Sequence, residues 1–246
     1  MAELQVSSPL KDFISTYLIP EVCYEYLFVQ KRLRHVPCLK ILLSKIMSVW
    51  MLGELIAPLF QIWTVLRGGS AEGLSLVSSV LDLLSVSAHT AYCIRHGFPI
   101  GAFGESVFVL MQLTLLVFLI HYYRGNGIQG VFLLCVYSGF MYVLSCAVVP
   151  VAVLVMMRDW SVLITISSRL IQAGCNINSG STGRLSAPSV FLMFLASVGR
   201  TFRSIQESPD SLGSQAAVLS SGCSLLILLQ IWIYRAPSVQ QEKKKQ

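Results

Sequence analysis

Of the 246 residues, 54% are hydrophobic and only 12% charged, against about 25% charged in an ordinary soluble domain, and the mean hydropathy is +0.69. Such a chain is solvated mostly by lipid, which excludes a water-soluble globular domain and makes it an integral membrane protein. The net charge of +6 comes mainly from residues 1–45 and the last four, so it speaks of lipid headgroups and topology rather than of nucleic acid.

The seven cysteines, at 23, 38, 93, 135, 146, 175 and 223, include no CxxC, and no histidine cluster accompanies them. No metal or other cofactor is expected, and most of these thiols read as small buried hydrophobes.

Taken in chain order, residues 1–36 contain no signal-peptide core, because Lys11, Asp12, Glu21 and Glu25 interrupt every apolar run. Phe13, Ile14, Tyr17 and Leu18, then Cys23, Tyr24, Tyr26, Leu27 and Phe28, are still too apolar for a free tail. One or two short helices lying in the membrane interface are expected over 1–41, with Lys31, Arg32 and Arg34 at the headgroups. Pro37 suits the opening of the next helix, whose first N–H lacks an intrahelical partner in any case.

Seven spans follow, since about 20 apolar residues cover the ~30 Å bilayer core. The first, Leu42–Leu66, carries Glu54, Pro58 and Gln61 and is broken by Arg67, Gly68, Gly69 and Ser70. The second, Leu74–Ile94, carries Asp82, His89 and Thr90, and the third, Phe103–Tyr123, starts near Glu105 and ends in HYYRG, an aromatic and basic interface signature. The fourth, Ile128–Val148, has no charge, and Pro150–Trp160 reads as an apolar connection with Arg158 and Asp159. The fifth, Ser161–Asn178, is the weakest by hydropathy, with Arg169, Gln172, Asn176 and Asn178; the sixth is Leu185–Phe202 and the seventh Gln215–Tyr234, followed by a polar tail.

A repeat organises these spans. Residues 61–90 shifted by 111 positions fall on 172–201 without a gap and with nine identities, among them Gln61 on Gln172, Gly69 on Gly180, Ser70 on Ser181, Leu74 on Leu185 and Ser75 on Ser186. Roughly three would arise from composition alone. The duplicated unit is helix, short Gly/Ser loop, helix. The expected fold is therefore an all-α integral membrane protein of seven transmembrane helices. Two parallel triple-helix bundles, 42–123 and 161–235, would be joined by a linker, 124–160, preceded by the interfacial helices and followed by a basic tail, 236–246. Parallel repeats of this kind build transporters whose site lies between the halves near the midplane.

The Gln at the end of the first helix, the Gly/Ser loop and SAEGLS at Ser70–Ser75 resemble the PQ-loop proteins, a family that includes SWEET-type sugar transporters and lysosomal amino-acid exporters. HVPCLKILLSK at His35–Lys45, GRTFRSIQE at Gly199–Glu207, FVQ, HYYRG and SRLIQA are similar to one branch of it, the mannose-P-dolichol utilization defect proteins of the endoplasmic reticulum. The resemblance implies that the motif and hinge residues are Pro58, Phe60, Gln61, Ser70, Gly73 and Ser75, echoed by Gln172, Ser181, Gly183 and Ser186. The Pro-Gln dipeptide of the family stands here as Phe60-Gln61, with Pro58 three positions before the Gln, and as Ile171-Gln172 in the echo. It also implies a role in the use of dolichol-phosphate-mannose and dolichol-phosphate-glucose for N-glycan precursors, glycosylphosphatidylinositol anchors and protein mannosylation. The implied partners are those lipid-linked sugars, membrane lipid and glycosyltransferases of the endoplasmic reticulum.

The candidate substrate contacts are Gln61, Asp82, Arg169, Gln172 and Asn176. Ionisable groups within a span are costly and almost always paired, so a structural Asp82–Arg169 or Asp82–Arg200 pair competes with a substrate role. Gln61 and Gln172 would either read a sugar hydroxyl or phosphate or glue helices together by hydrogen bonds. Ser70, Gly73, Ser75 and their echoes would shape tight loops and cap the next helix. No catalytic triad, phosphate-cradling Gly loop, paired-carboxylate motif or zinc signature stands out, so no enzyme is expected.

Seven spans put the termini on opposite sides. The final KKKQ, with Lys243 and Lys244, resembles a dilysine retrieval signal read in the cytosol, which would leave the N-terminus lumenal. Counting Lys and Arg gives seven on the C-terminal side and ten on the N-terminal side, the opposite of the positive-inside rule. Most of the latter sit by the interfacial helices, so the tail decides for a lumenal N-terminus.

Overall fold

The computed structural model describes residues 20–25, 36–146, 148–207 and 211–243. The remainder of the expected interfacial segment, with Lys31, Arg32 and Arg34, and the tail residue Lys244 lie outside the described residues. Among the described residues the secondary structure is helical throughout: α1 Glu21–Tyr24, α2 Val36–Met51, α3 Gly53–Gly68, α4 Leu76–Arg95, α5 Ile100–Tyr123, α6 Gly127–Ser145, α7 Val151–Ser179, α8 Ala187–Glu207 and α9 Leu212–Lys243.

Among the described residues five stretches are long and apolar enough to cross a membrane: Leu76–Arg95, Phe103–Tyr123, Gly127–Ser145, Val151–Ser179 and Leu212–Tyr234. The chain is thus a multi-pass membrane protein, helical among its described residues. The expected first span corresponds to two 16-residue helices, α2 and α3, parted at Leu52. Gly53 opens α3 against the backbone of α8, where an added Cβ would stand 2.7 Å from the Leu192 carbonyl oxygen.

The expected connection Pro150–Trp160 is corrected. It is the beginning of α7, a single helix of 29 residues, about 44 Å at 1.5 Å per residue and so longer than the bilayer core. Nothing after Pro150 breaks a helix, and Arg158 and Asp159 are accommodated on it: they pair with each other at 2.9 Å, and the Arg158 guanidinium lies 4.4 Å from the centre of the Tyr92 ring. Two cysteines are corrected as well. Cys23 of α1 and Cys38 of α2 form a disulfide, with their Cα atoms 5.2 Å apart.

The packing has an internal correspondence. Helix α5 packs on both α3 and α4, as α9 does on α7 and α8; between these trios α4 lies against α7 and α3 against α8, while α6 covers α4 and α5. The cores match too: Ile62, Leu116 and Ile120 are buried together in one trio, and Ala173, Ile227 and Ile231, each 111 residues on, are buried together in the other. Hydroxyl pairs tie α4 to α7, Ser78 with Ser168 and Ser85 with Thr165, both at 2.9 Å. Such bonds hold helices together where lipid removes any hydrophobic drive to associate.

Candidate functional site

The site begins at the loops 69–75 and 180–186. Each leaves its helix through a left-handed glycine, Gly69 or Gly180, and enters the next through a serine cap: Ser78 N–H donates to Ser75 Oγ (3.3 Å) and Ser189 N–H to Ser186 Oγ (3.4 Å). The loops then touch. The Arg184 N–H donates to the Glu72 carbonyl at 2.8 Å, and Gly73 and Gly183, both at positive φ, meet so closely that a Cβ on Gly183 would stand 2.8 Å from the Gly73 Cα. Only glycine fits at either position.

The two glutamines lock this contact reciprocally. Gln61 donates from Nε2 to the Arg184 carbonyl (3.1 Å) and accepts at Oε1 from the Ser186 N–H (2.8 Å). Gln172 donates to the Gly73 carbonyl (2.9 Å) and accepts from the Ser75 N–H (2.9 Å). Gln172 Nε2 also reaches Asn176 Oδ1 (3.0 Å), Asn176 Nδ2 donates to Gln230 Oε1 (2.9 Å), and Gln230 Nε2 donates to the Ala173 carbonyl (3.1 Å). All four amides are at least nine-tenths buried. Of the expected substrate contacts, then, Gln61, Gln172 and Asn176 spend their hydrogen-bonding groups on the protein itself. Gln230 was missed by sequence reasoning, although a lone amide inside the apolar run Gln215–Tyr234 was its signal. In the first trio Gln112 Nε2 donates to the Leu55 carbonyl (3.1 Å), next to the Glu54 carbonyl that Pro58 leaves without an i+4 donor.

Beyond the loops the two trios part around a cavity. A narrow section of about 60 Å³ runs from Gln61 and Gln172 to Asp82 and Arg169. A wider section of about 270 Å³ continues past Asp82 and Arg169 to Glu54 and Arg200, lined with Ser197, Ser204 and Ser220. Two ion pairs cross between the trios here. Asp82 Oδ2 lies 3.8 Å from Arg169 Nη1, with both side chains largely buried, and Arg169 Nη1 also lies 3.5 Å from Met193 Sδ. Arg200 pairs with Glu54 at the wide end, where both side chains are 40–45% exposed. The Arg169 alternative is thus the one realised for Asp82. The Glu54–Arg200 pair had no signal in the sequence.

Pro58 lines both sections of the cavity, whereas Phe60 points away from it into an outer groove on the far side of α3. Ser70 Oγ accepts from the Glu72 N–H at 3.2 Å, turning the first loop. His89 is exposed, and its Nε2 lies 3.7 Å from Cys93 Sγ on the same helix. Among the described residues no three His, Cys, Asp or Glu side chains gather as a metal site would require.

Residues 45–102 match the family model of the PQ loop repeat. The match takes in the end of α2, α3, the first loop and α4, including Gln61 and Asp82, so this stretch is similar to a PQ-loop repeat. No solved structure matches the chain.

Proposed function

We propose that the chain is a seven-span PQ-loop protein of the endoplasmic reticulum membrane. In this reading it serves the use of dolichol-phosphate-mannose and dolichol-phosphate-glucose as lumenal sugar donors, by binding the lipid-linked sugar headgroup between the two trios. The observation that carries the site is the central cavity: sealed at one end by the glutamine-locked loops, crossed by Asp82 and Arg169, and wide at Glu54 and Arg200. Its wide section, about 270 Å³, lies just under the ~300 Å³ at which drug-sized pockets begin, room for one sugar rather than an oligosaccharide. Serine hydroxyls supply hydrogen bonds for sugar hydroxyls, and Arg169 supplies a cation for phosphate. Asp82 and Arg169 are the binding residues of this reading; Gln61, Gln172 and Asn176 keep the far end shut. The SAEGLS and HVPCLKILLSK resemblances choose the substrate class. The protein is not an enzyme in this reading; it binds, presents or flips the lipid-linked sugar for glycosyltransferases that act on it.

The proposed orientation has a lumenal N-terminus and a cytosolic KKKQ tail. The Cys23–Cys38 disulfide supports it, because such bonds persist in oxidising compartments such as the lumen of the endoplasmic reticulum and are rare in the cytosol.

Purified protein in liposomes with a labelled short-chain dolichol-phosphate-mannose tests the reading. Flip between leaflets or saturable binding, lost in Arg169→Gln, is the expected result; neither flip nor binding would sink it. A second reading, transport of a free small solute, draws on the same enclosure of the cavity by helices. Uptake of labelled sugar or cationic amino acid into the same vesicles would decide for it.

A further inference from the structure

A second concave site lies on the outer side of the loops, at the opposite end of the fold from the Glu54–Arg200 pair. The last turns of α3, residues 181–188, and Ile231 and Tyr234 of α9 line a groove of about 860 Å³. Its α3 wall is one stripe, Phe60, Trp63, Thr64 and Arg67, spaced i, i+3, i+4 and i+7 and hence on a single helix face. The stripe passes from exposed aromatics, Phe60 at 42% and Trp63 at 62%, to a guanidinium in the helix's last turn. The loop contributes Arg184, whose guanidinium carbon would stand 3.0 Å from a Cβ on Gly68 and so lies over the α3 terminus, where Arg67 lines the same groove.

Among the described residues neither Arg67 nor Arg184 has a carboxylate within 4.0 Å. Both could be headgroup anchors of the ordinary kind. An anchor, however, needs only an open surface, and here two guanidinia with no carboxylate partner among the described residues line one pocket whose α3 wall also carries exposed aromatics. We propose that this groove binds the phosphate ester of a membrane lipid in the leaflet that the two loops face. The arginine forks take the phosphate oxygens, and the Phe60–Trp63 stripe lies along the first part of the acyl or polyprenyl chain. The aromatic stripe selects a lipid over a soluble phosphate, which would leave it bare. The site is separated from the central cavity by the locked loops and is independent of what that cavity binds.

The test uses the full chain in nanodiscs of phosphatidylcholine containing phosphatidic acid, with bound lipid counted by native mass spectrometry. One phosphatidic acid is retained in preference to phosphatidylcholine, and its occupancy falls about tenfold in the Arg67→Gln/Arg184→Gln variant. Excess inorganic phosphate leaves it in place. Equal retention of the two lipids, or undiminished retention in the double variant, overturns the proposal, and displacement by inorganic phosphate reassigns the groove to a soluble anion. Should the double variant not reconstitute, brominated phosphatidic acid reads the same site with both arginines intact. With Trp50, Trp160 and Trp232 replaced by Phe, the remaining Trp63 is then quenched more strongly by brominated phosphatidic acid than by brominated phosphatidylcholine, and equal quenching by the two lipids overturns the proposal.

Discussion

Gln61 and Gln172, 111 residues apart, each grip the loop that follows the other: Gln61 brackets Arg184 and Ser186, and Gln172 brackets Gly73 and Ser75. The arrangement is its own mirror under the repeat, so one mutation pattern appears twice. Replacing either Gln by Leu strands a buried backbone N–H, that of Ser186 or Ser75, which costs about 2 kcal/mol. Thermal unfolding in detergent should register that loss for both single variants. The affinity of the remaining folded protein for the short-chain lipid-linked sugar should stay within about twofold, since both amides are committed to the two loops. An affinity that fell while the melting temperature stayed put would return both glutamines to the substrate.

The Asp82–Arg169 pair separates stability from binding. Asp82→Asn alone leaves a largely buried guanidinium without its counter-charge and should cost about 3 kcal/mol, whereas Asp82→Asn/Arg169→Gln removes both charges and regains much of that loss. Binding of the lipid-linked sugar should fail to recover in the double variant, because the phosphate has lost its cation. Recovery of both properties together would make the pair structural glue only, and the cavity would need another anchor.

At the wide end, Glu54 and Arg200 are half-exposed, so breaking their pair by Glu54→Gln should move stability by less than about 1 kcal/mol. Its effect is expected on access. A cysteine placed at Ser220, inside the wide section, should react faster with a water-soluble thiol reagent in Glu54→Gln than in the parent, against a background lacking the native free cysteines. Charge exchange, Glu54→Arg/Arg200→Glu, should restore the slow rate. An unchanged rate in Glu54→Gln would mean that the pair does not narrow the mouth.

Much of this was readable in the sequence because local breakers write it there. Gly69, Gly97, Gly125 and Gly180 all stand at positive φ in turns, and α3, α4, α5 and α7 end within two residues of where such signals placed them. The repeat picked out Gln61 and Gln172 together with the serine caps. That each glutamine grips the other unit's loop was not legible, because the partners are 123 and 125 positions away for Gln61 and only the placement of the trios brings them near. For the same reason Glu54 and Arg200, 146 apart, gave no sign of each other. The connection expected at Pro150–Trp160 failed on a different ground. Its two charges looked like a loop, but adjacent opposite charges that pair with each other, one also seated on Tyr92, can ride on the end of a helix that outruns the bilayer.

Cys23 and Cys38 turn the question of sidedness into a chemical one. They close a loop of sequence separation 15, for which chain-entropy arguments give about 3 kcal/mol of stabilisation, so Cys23→Ser/Cys38→Ser should unfold earlier in detergent than the parent. Mass-tagging of thiols after denaturation should find the pair unreactive until a reductant is added. In sealed microsomes treated with a permeant reductant, a lumenal pair stays shielded from an impermeant maleimide and becomes labelled only when detergent opens the vesicles. The control is a cysteine introduced at Ser70, in the first loop, on a background with the native free cysteines replaced; it should label in intact vesicles, because that loop would face the cytosol. Labelling of Cys23 and Cys38 in intact microsomes would reverse the orientation, put the wide end of the cavity on the cytosolic side, and move the Arg67–Arg184 groove to the lumenal leaflet.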